Sequence, residues 1–150
     1  MPGRLTLDEI RALPSEAQIT KHHCIQGWTG IAQWRGAPLA EIVDLCQPLE
    51  KARYMVFWSH QSDTSGQPFY ESLDIRLARH PQTLLAYEMN GGPLPVPYGA
   101  PLRLRVETEL GFKMVKWLRA IEFTDDLSIL RDGQGGSRED NMHYEQSVSI

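Results

Sequence analysis

The stretch from His22 to Leu39, HHCIQGWTGIAQWRGAPL, constrains the chain more than any other. It holds one of the two cysteines, two of the four tryptophans, three glycines and a proline. The alternating run Gln18-Ile19-Thr20-Lys21-His22-His23-Cys24-Ile25 leads into it and reads as a strand. Gly27 interrupts the run, where a bend or a close backbone approach is expected. Cys24 therefore stands near a strand end, just ahead of a loop, a common place for a reactive residue. Trp34-Arg35-Gly36-Ala37-Pro38 reads as a turn. Pro38 then opens a helix through Leu45 or Cys46, with Leu39, Ile42, Val43 and Cys46 on one face. That periodicity makes Cys46 a core residue.

The rest of the chain is built from short runs. Leu7, Ile10 and Leu13 share a helical face, Thr6 and Glu9 have the spacing of a capping box, and Pro14 stops the helix. Arg53 to Ser59 (RYMVFWS) is strongly β-forming, whereas His60 to Pro68 (HQSDTSGQP) reads as a polar loop. Phe69 to Leu73 reads as a short strand, Asp74 to Arg79 as a helical turn, and Thr83 to Met89 as a strand ending at the Asn90-Gly91 turn signal. Pro93 to Pro101 is a proline-rich loop. Leu102 to Glu107 (LRLRVE) alternates cleanly and is expected to have one wet face. Val115 to Phe123 reads as a last strand or strand pair. From Asp125 the chain turns polar and glycine-rich, as an extended tail ordered only by packing on something else. Many short strands, few short helices and no βαβ alternation make the fold α+β, mostly β, with mixed sheets.

Composition excludes several functions. The 150 residues fit a single domain; 41% are apolar and 23% charged. A net charge of −4 without a dense basic run argues against nucleic-acid binding. No apolar run reaches the roughly 18 residues of a membrane span, and MPGRLTLDEI lacks a signal-peptide core. The expectation is a soluble domain, cytoplasmic as it stands, or periplasmic if a leader has been removed. Cys24 and Cys46 form neither a C-x-x-C pair nor a zinc spacing. His22 and Cys24 share a strand face, but nothing supplies further ligands for zinc or copper at a recognisable spacing. Trp28, Trp34, Trp58 and Trp117 read as packing residues.

Two segments together resemble a known family. The cysteine followed by Gly27-Trp28 is similar to the metal-ligand segment of the sulfite oxidase-like molybdopterin oxidoreductases, which include sulfite oxidases and bacterial protein-methionine-sulfoxide reductases. The run TLLAYEMNGGPLPVPYGAPLRLRVETELGFKMVKWLRAIEF, Thr83 to Phe123, resembles the second signature of that family. The likeness implies a molybdopterin-binding domain over residues 1–124, followed by the tail at 125–150. It implies Cys24 as the only protein ligand to molybdenum, and Arg103, Met114, Val115 and Lys116 as cofactor contacts. Ser59 falls where members often have a Ser or Thr at the pterin. Such a cofactor needs cationic and backbone donors around its phosphate and one soft thiolate at the metal.

The implied activity is transfer of an oxo group and two electrons to or from a small substrate. Electrons would pass through a separate haem, flavin or quinone partner, with no haem in this chain. The departures from the family carry their own expectations. Only 23 residues precede Cys24, so the polar N-terminal segment of the family is expected to be lacking. The His or Asn that usually precedes the G-x-PLR run is Tyr98, and Asp125 to Leu130 has no tyrosine of the sulfite oxidase kind. Sulfite is therefore not the expected substrate. The alternative function is a non-catalytic binding or assembly module that retains the fold without the cofactor.

Overall fold

Two antiparallel sheets share one main core in the computed structural model, which describes residues 3–24 and 26–142. Ile25, the last residue of the expected first strand, and residues 143–150 lie outside the described residues. Helix α1 (Leu7–Ala12) begins with the expected capping box: Thr6 Oγ1 accepts from the Glu9 amide, and the Glu9 carboxylate accepts from the Thr6 amide. Strands β1 (Glu16–His23) and β2 (Thr29–Pro38) form a hairpin around the Cys24 loop. Helix α2 (Leu39–Cys46) follows, burying Leu39, Ile42 and Val43, with Cys46 packed against the same core.

The first sheet continues from β2 to β5 (Thr83–Met89), which pairs on its other edge with the two-residue β6 (Gly92–Pro93) and with β7 (Arg103–Val106). Asn90 and Gly91 both take positive φ between β5 and β6, as the dipeptide signals. The second sheet places β3 (Tyr54–Ser62) between β4 (Pro68–Asp74) and β8 (Leu118–Thr124). Residues from both sheets meet in the main core: Ala37, Leu85, Leu104 and Val106 from the first, Met55, Phe57, Leu73 and Leu118 from the second. The mostly β class stands as expected, but the strand pairs among the described residues are all antiparallel, so the sheets are not mixed.

Four local expectations change. Residues 34–38 are not a turn but the end of β2, bulged between Arg35 and Gly36. A Cβ on Gly36 would lie 2.0 Å from the Leu85 carbonyl oxygen, so this glycine serves a close strand approach. Strand β3 runs on to Ser62, shortening the loop expected over His60 to Pro68. The last strand starts only at Leu118, because Trp117 at φ 51° turns the chain out of the extended conformation. Finally, β7 has no wet face: Arg103, Leu104, Arg105 and Val106 are all buried.

The polar C-terminal segment is not merely extended. Its residues up to 142 return to β4 and end in α3 (Ser137–Met142). The Ser137 hydroxyl accepts from the Tyr70 amide, the Ser72 hydroxyl donates to the Gly135 carbonyl, and the Tyr70 hydroxyl bonds Asp140 at 2.5 Å. Leu127 completes a small core with Val56 and Tyr70 on the outer face of the second sheet. Buried hydrogen bonds of this kind specify docking that composition alone does not reveal.

Candidate functional site

The face of the first sheet opposite the main core is lined with cations. Arg103 and Arg105, two apart on β7, point to this face while Leu104 and Val106 enter the core. Their guanidinium carbons lie 4.9 and 4.3 Å from the centroid of the Trp34 ring, so the two cations share one aromatic platform. Arg105 is fully buried and neutralised: it makes paired 2.8 Å bonds to Glu107 and reaches Thr20 Oγ1 at 3.4 Å. Its third nitrogen lies 2.9 Å from His22 Nδ1. A guanidinium can only donate, so Nδ1 accepts and the His22 proton sits on Nε2. Burial, followed by the charges of Arg105 and Arg103, pushes His22 down to about 4, which keeps it neutral at physiological pH.

Arg103 is different. It is 4% exposed, and its hydrogen bonds go to the carbonyl oxygens of Tyr98 (2.9 Å), Met114 (3.3 Å) and Leu104 (3.5 Å). Among the described residues it makes no ion pair, since Glu107 is taken by Arg105. Burial, reinforced by Arg105, brings its pKa down to about 9. Lys116 stands beside it, both stems lying against Gly99. The Lys116 ammonium bonds the Pro97 carbonyl at 3.1 Å and sits 4.3 Å above the Trp117 ring. Burial and Arg103 lower its pKa as well.

The loop from Gly111 to Lys116 closes the site from the other side. Gly111 rests on the end of β1: a Cβ there would fall 2.4 Å from His22 Nε2 and 3.2 Å from the His23 carbonyl oxygen. Only glycine lets the two segments come this close. Cys24 follows directly, half-buried, in a loop pinned by bonds from its amide to the Trp28 carbonyl and from the Gly27 amide to its own carbonyl, both 3.0 Å. Trp28 in turn packs at a tilt against His22, with ring centroids 5.6 Å apart and planes at 36°.

The six residues singled out from the sequence thus fall into two groups. Ser59, Arg103, Met114, Val115 and Lys116 are joined directly. Ser59 Oγ donates to the Lys116 carbonyl at 2.7 Å and accepts from the Gln61 amide at 2.9 Å. The Met114 carbonyl accepts from Arg103, and the Val115 carbonyl accepts from the Leu104 amide at 2.8 Å. Cys24 joins them through its neighbours, by the packing of His22 and His23 on Gly111. The Ser59 hydroxyl is occupied within the protein, so its visible work is to hold the Lys116 loop. A cavity of about 340 Å³, the size of a small-ligand pocket, is lined by Ser59, Met114, Lys116, Phe112, Arg138 and Asn141.

The match to the model of the oxidoreductase molybdopterin-binding domain runs over residues 1–129. The chain belongs to that family. It is 38% identical over 120 residues to a putative protein-methionine-sulfoxide reductase subunit, YedZ1, of Azospira oryzae, covering 80% of this chain and 44% of that protein. It is 37% identical over 136 residues to the catalytic subunit MsrP of the protein-methionine-sulfoxide reductase of Xanthomonas axonopodis, covering 84% of this chain and 42% of that one. The chain therefore spans less than half the length of these relatives. Among solved structures, the sulfane dehydrogenase SoxCD of Paracoccus pantotrophus superposes with a TM-score of 0.72 at 19% identity, over 90% of this chain and 36% of that one, a likeness of fold.

The residues of this molybdopterin-binding domain fit its cofactor. A buried arginine that, among the described residues, is bonded only to carbonyls, with a second partly desolvated cation beside it, is short of negative charge, and an anionic phosphate or pterin oxygen would supply it. Sequence reading passed over three components of this site. Arg105 reads as a solvated face, His22 only as a metal-ligand candidate and Trp34 only as packing. The available signal was Arg103-x-Arg105-x-Glu107, three alternating charges, with an aromatic on β2 of the same sheet.

Proposed function

We propose that this oxidoreductase domain holds molybdopterin with Arg103 and Lys116 on its anionic groups and the sulfur of Cys24 on molybdenum, and that it transfers oxygen at sulfur. The carrying observation is the buried Arg103, which has no carboxylate partner among the described residues and sits beside Lys116 on the loop that packs against the Cys24 strand end. When bound, the cofactor supplies two-electron oxygen-atom transfer. The protein's share is positional. The Cys24–Trp28 and Gly27–Cys24 backbone bonds fix the loop that presents the sulfur, and Ser59 fixes the carbonyl of Lys116. Neutral His22, held through Nδ1 by Arg105, keeps an N–H on Nε2 at the Gly111 contact.

Both curated relatives are named for methionine sulfoxide reduction, which favours a sulfoxide as the substrate class. The reaction then consumes two electrons and two protons, breaks the S–O bond and yields a thioether and water. A separate haem, flavin or quinone carrier would supply the electrons. Among the described residues no helix is long and apolar enough to cross a membrane, so a membrane-bound carrier would be another chain or segment.

The test is molybdenum content by elemental analysis on protein from a host that makes molybdopterin, with Cys24→Ser alongside. The expected result is near-stoichiometric metal in the wild type and a Cys24→Ser protein that folds but is depleted of metal or inactive on sulfoxides. A cooperative wild-type fold without molybdenum would overturn the reading in favour of a non-catalytic binding module.

A further inference from the structure

We propose that residues 131–142 act as a strut for the cofactor-contacting loop, with Lys113 as the positioning residue that transmits it. This rests on the cofactor reading of Met114 to Lys116 given above. Lys113 ends the 3-10 helix Gly111–Lys113 and directly precedes that loop. Its side chain turns away from the cation-lined face and is 1% exposed, with Nζ 3.1 Å from Glu71 Oε2 on β4 and 2.6 Å from Glu139 Oε1 on α3. Glu71 and Glu139 are both fully buried. Glu71 also accepts from the Arg138 amide at 3.3 Å, tying the start of α3 to the same carboxylate.

Two further contacts lock the segment independently of these charges. Tyr70 bonds Asp140 through its hydroxyl and Ser137 through its amide. Arg131 pairs with Asp63 at 2.5 Å, bonds the Pro68 carbonyl and lies 4.8 Å over the Tyr70 ring. The segment does not stop at the back of the loop. Ser137, Arg138 and Asn141 line the same cavity as Ser59, Met114 and Lys116. Most of this lies beyond residue 129, where the family match ends. A buried ammonium shared by two carboxylates from different elements has one well-satisfied geometry, so it fixes the loop more sharply than apolar packing would.

The test is amide hydrogen exchange on the full chain without cofactor, together with pterin content of the same proteins made in a molybdopterin-producing host. Two variants serve: Lys113→Met, which removes the cation, and Tyr70→Phe, which loosens α3 without touching the buried charges. Exchange at the Lys113, Met114 and Val115 amides should quicken by about tenfold or more in both variants, while the β1–β2 amides stay as protected as in the wild type. Pterin per folded protein should fall in the same order. Unchanged loop exchange in Tyr70→Phe, a uniform rise across the molecule, or a loosened loop with full pterin occupancy would each overturn the strut. A wild type with no pterin would sink the cofactor reading instead, and the exchange pattern would still decide the strut.

Discussion

Two buried charge clusters flank the Gly111–Lys116 loop, and they are unlike in sign and in completeness. On one side His22, Arg103, Arg105 and Lys116 surround Trp34 and Trp117, and among the described residues the carboxylate paired with them is Glu107. On the other, Lys113 faces two carboxylates, Glu71 and Glu139. The first cluster is left with surplus positive charge, and what would balance it is a ligand. The second has surplus negative charge, and what would balance it is a proton on a buried carboxyl of its own. Burial pushes the Glu71 carboxyl well up, and Glu139 adds to the rise while Lys113 opposes it. Among the described residues Glu139 Oε2 has no partner unless such a proton points to it. Incompleteness toward a ligand marks a binding site, whereas completeness marks scaffolding, although both clusters read as charged residues on short strands and turns.

The sharpest way to break this comparison is to remove one cation from each. Lys113→Met leaves two buried carboxylates facing each other without a cation, and losing one partner of a buried pair costs about 3–5 kcal/mol. Urea unfolding of the cofactor-free protein should show a loss of that order. Arg103→Met removes a buried cation that has no ion pair among the described residues. Three carbonyls lose a donor, but the desolvation and the repulsion from Arg105 go with it, so stability should change by no more than about 1 kcal/mol. Its cost should appear in pterin retention, with occupancy falling by about tenfold, the worth of one charge-assisted bond. An Arg103→Met protein as unstable as Lys113→Met, or one that retains its pterin, would erase the distinction between site and scaffold.

What the sequence discloses follows the range of the interactions involved. The capping box of α1, the face of α2, the β5 strand and the Asn90-Gly91 turn depend on neighbours within a few residues, and each appears where the pattern places it. Gly36 misleads because a turn glycine and a close-approach glycine look alike until the opposing carbonyl of Leu85 is known. The alternation in Leu102 to Glu107 is real, but its polar face meets Trp34 and the end of β1 instead of water, and no local pattern distinguishes the two. Arg103 and Lys116 could be singled out through the family's motifs. Arg105 could not: its ion pair to Glu107 is local, but its contact to His22 depends on a partner 83 residues away. Lys113, Glu71 and Glu139 come from three separated elements, so their meeting is purely tertiary.

The smallest expected effect tests whether the second cluster holds its proton. A carboxyl whose folded pKa lies above its unfolded value near 4.5 binds the proton more tightly in the native state, so its contribution to stability is complete below that value. It is lost as pH rises through the folded pKa, because the native state must then hold Lys113 against two ionised carboxylates. The groups that face Glu71 are Lys113, Glu139 and the Arg138 amide, and none of these reverses the sign. Glu71→Gln carries a neutral, nearly isosteric group that can donate to Glu139 at any pH. At pH 5 it should match the wild type within about 1 kcal/mol, since a volume-conserving change at a site already neutral disturbs little. As pH rises, the wild type should lose stability relative to the variant until the curves cross or converge. Denaturation midpoints from pH 5 to 9 measure this directly. A Glu71→Gln protein destabilised equally at every pH would show that Glu71 is ionised in the fold, leaving the second cluster with an uncompensated negative charge.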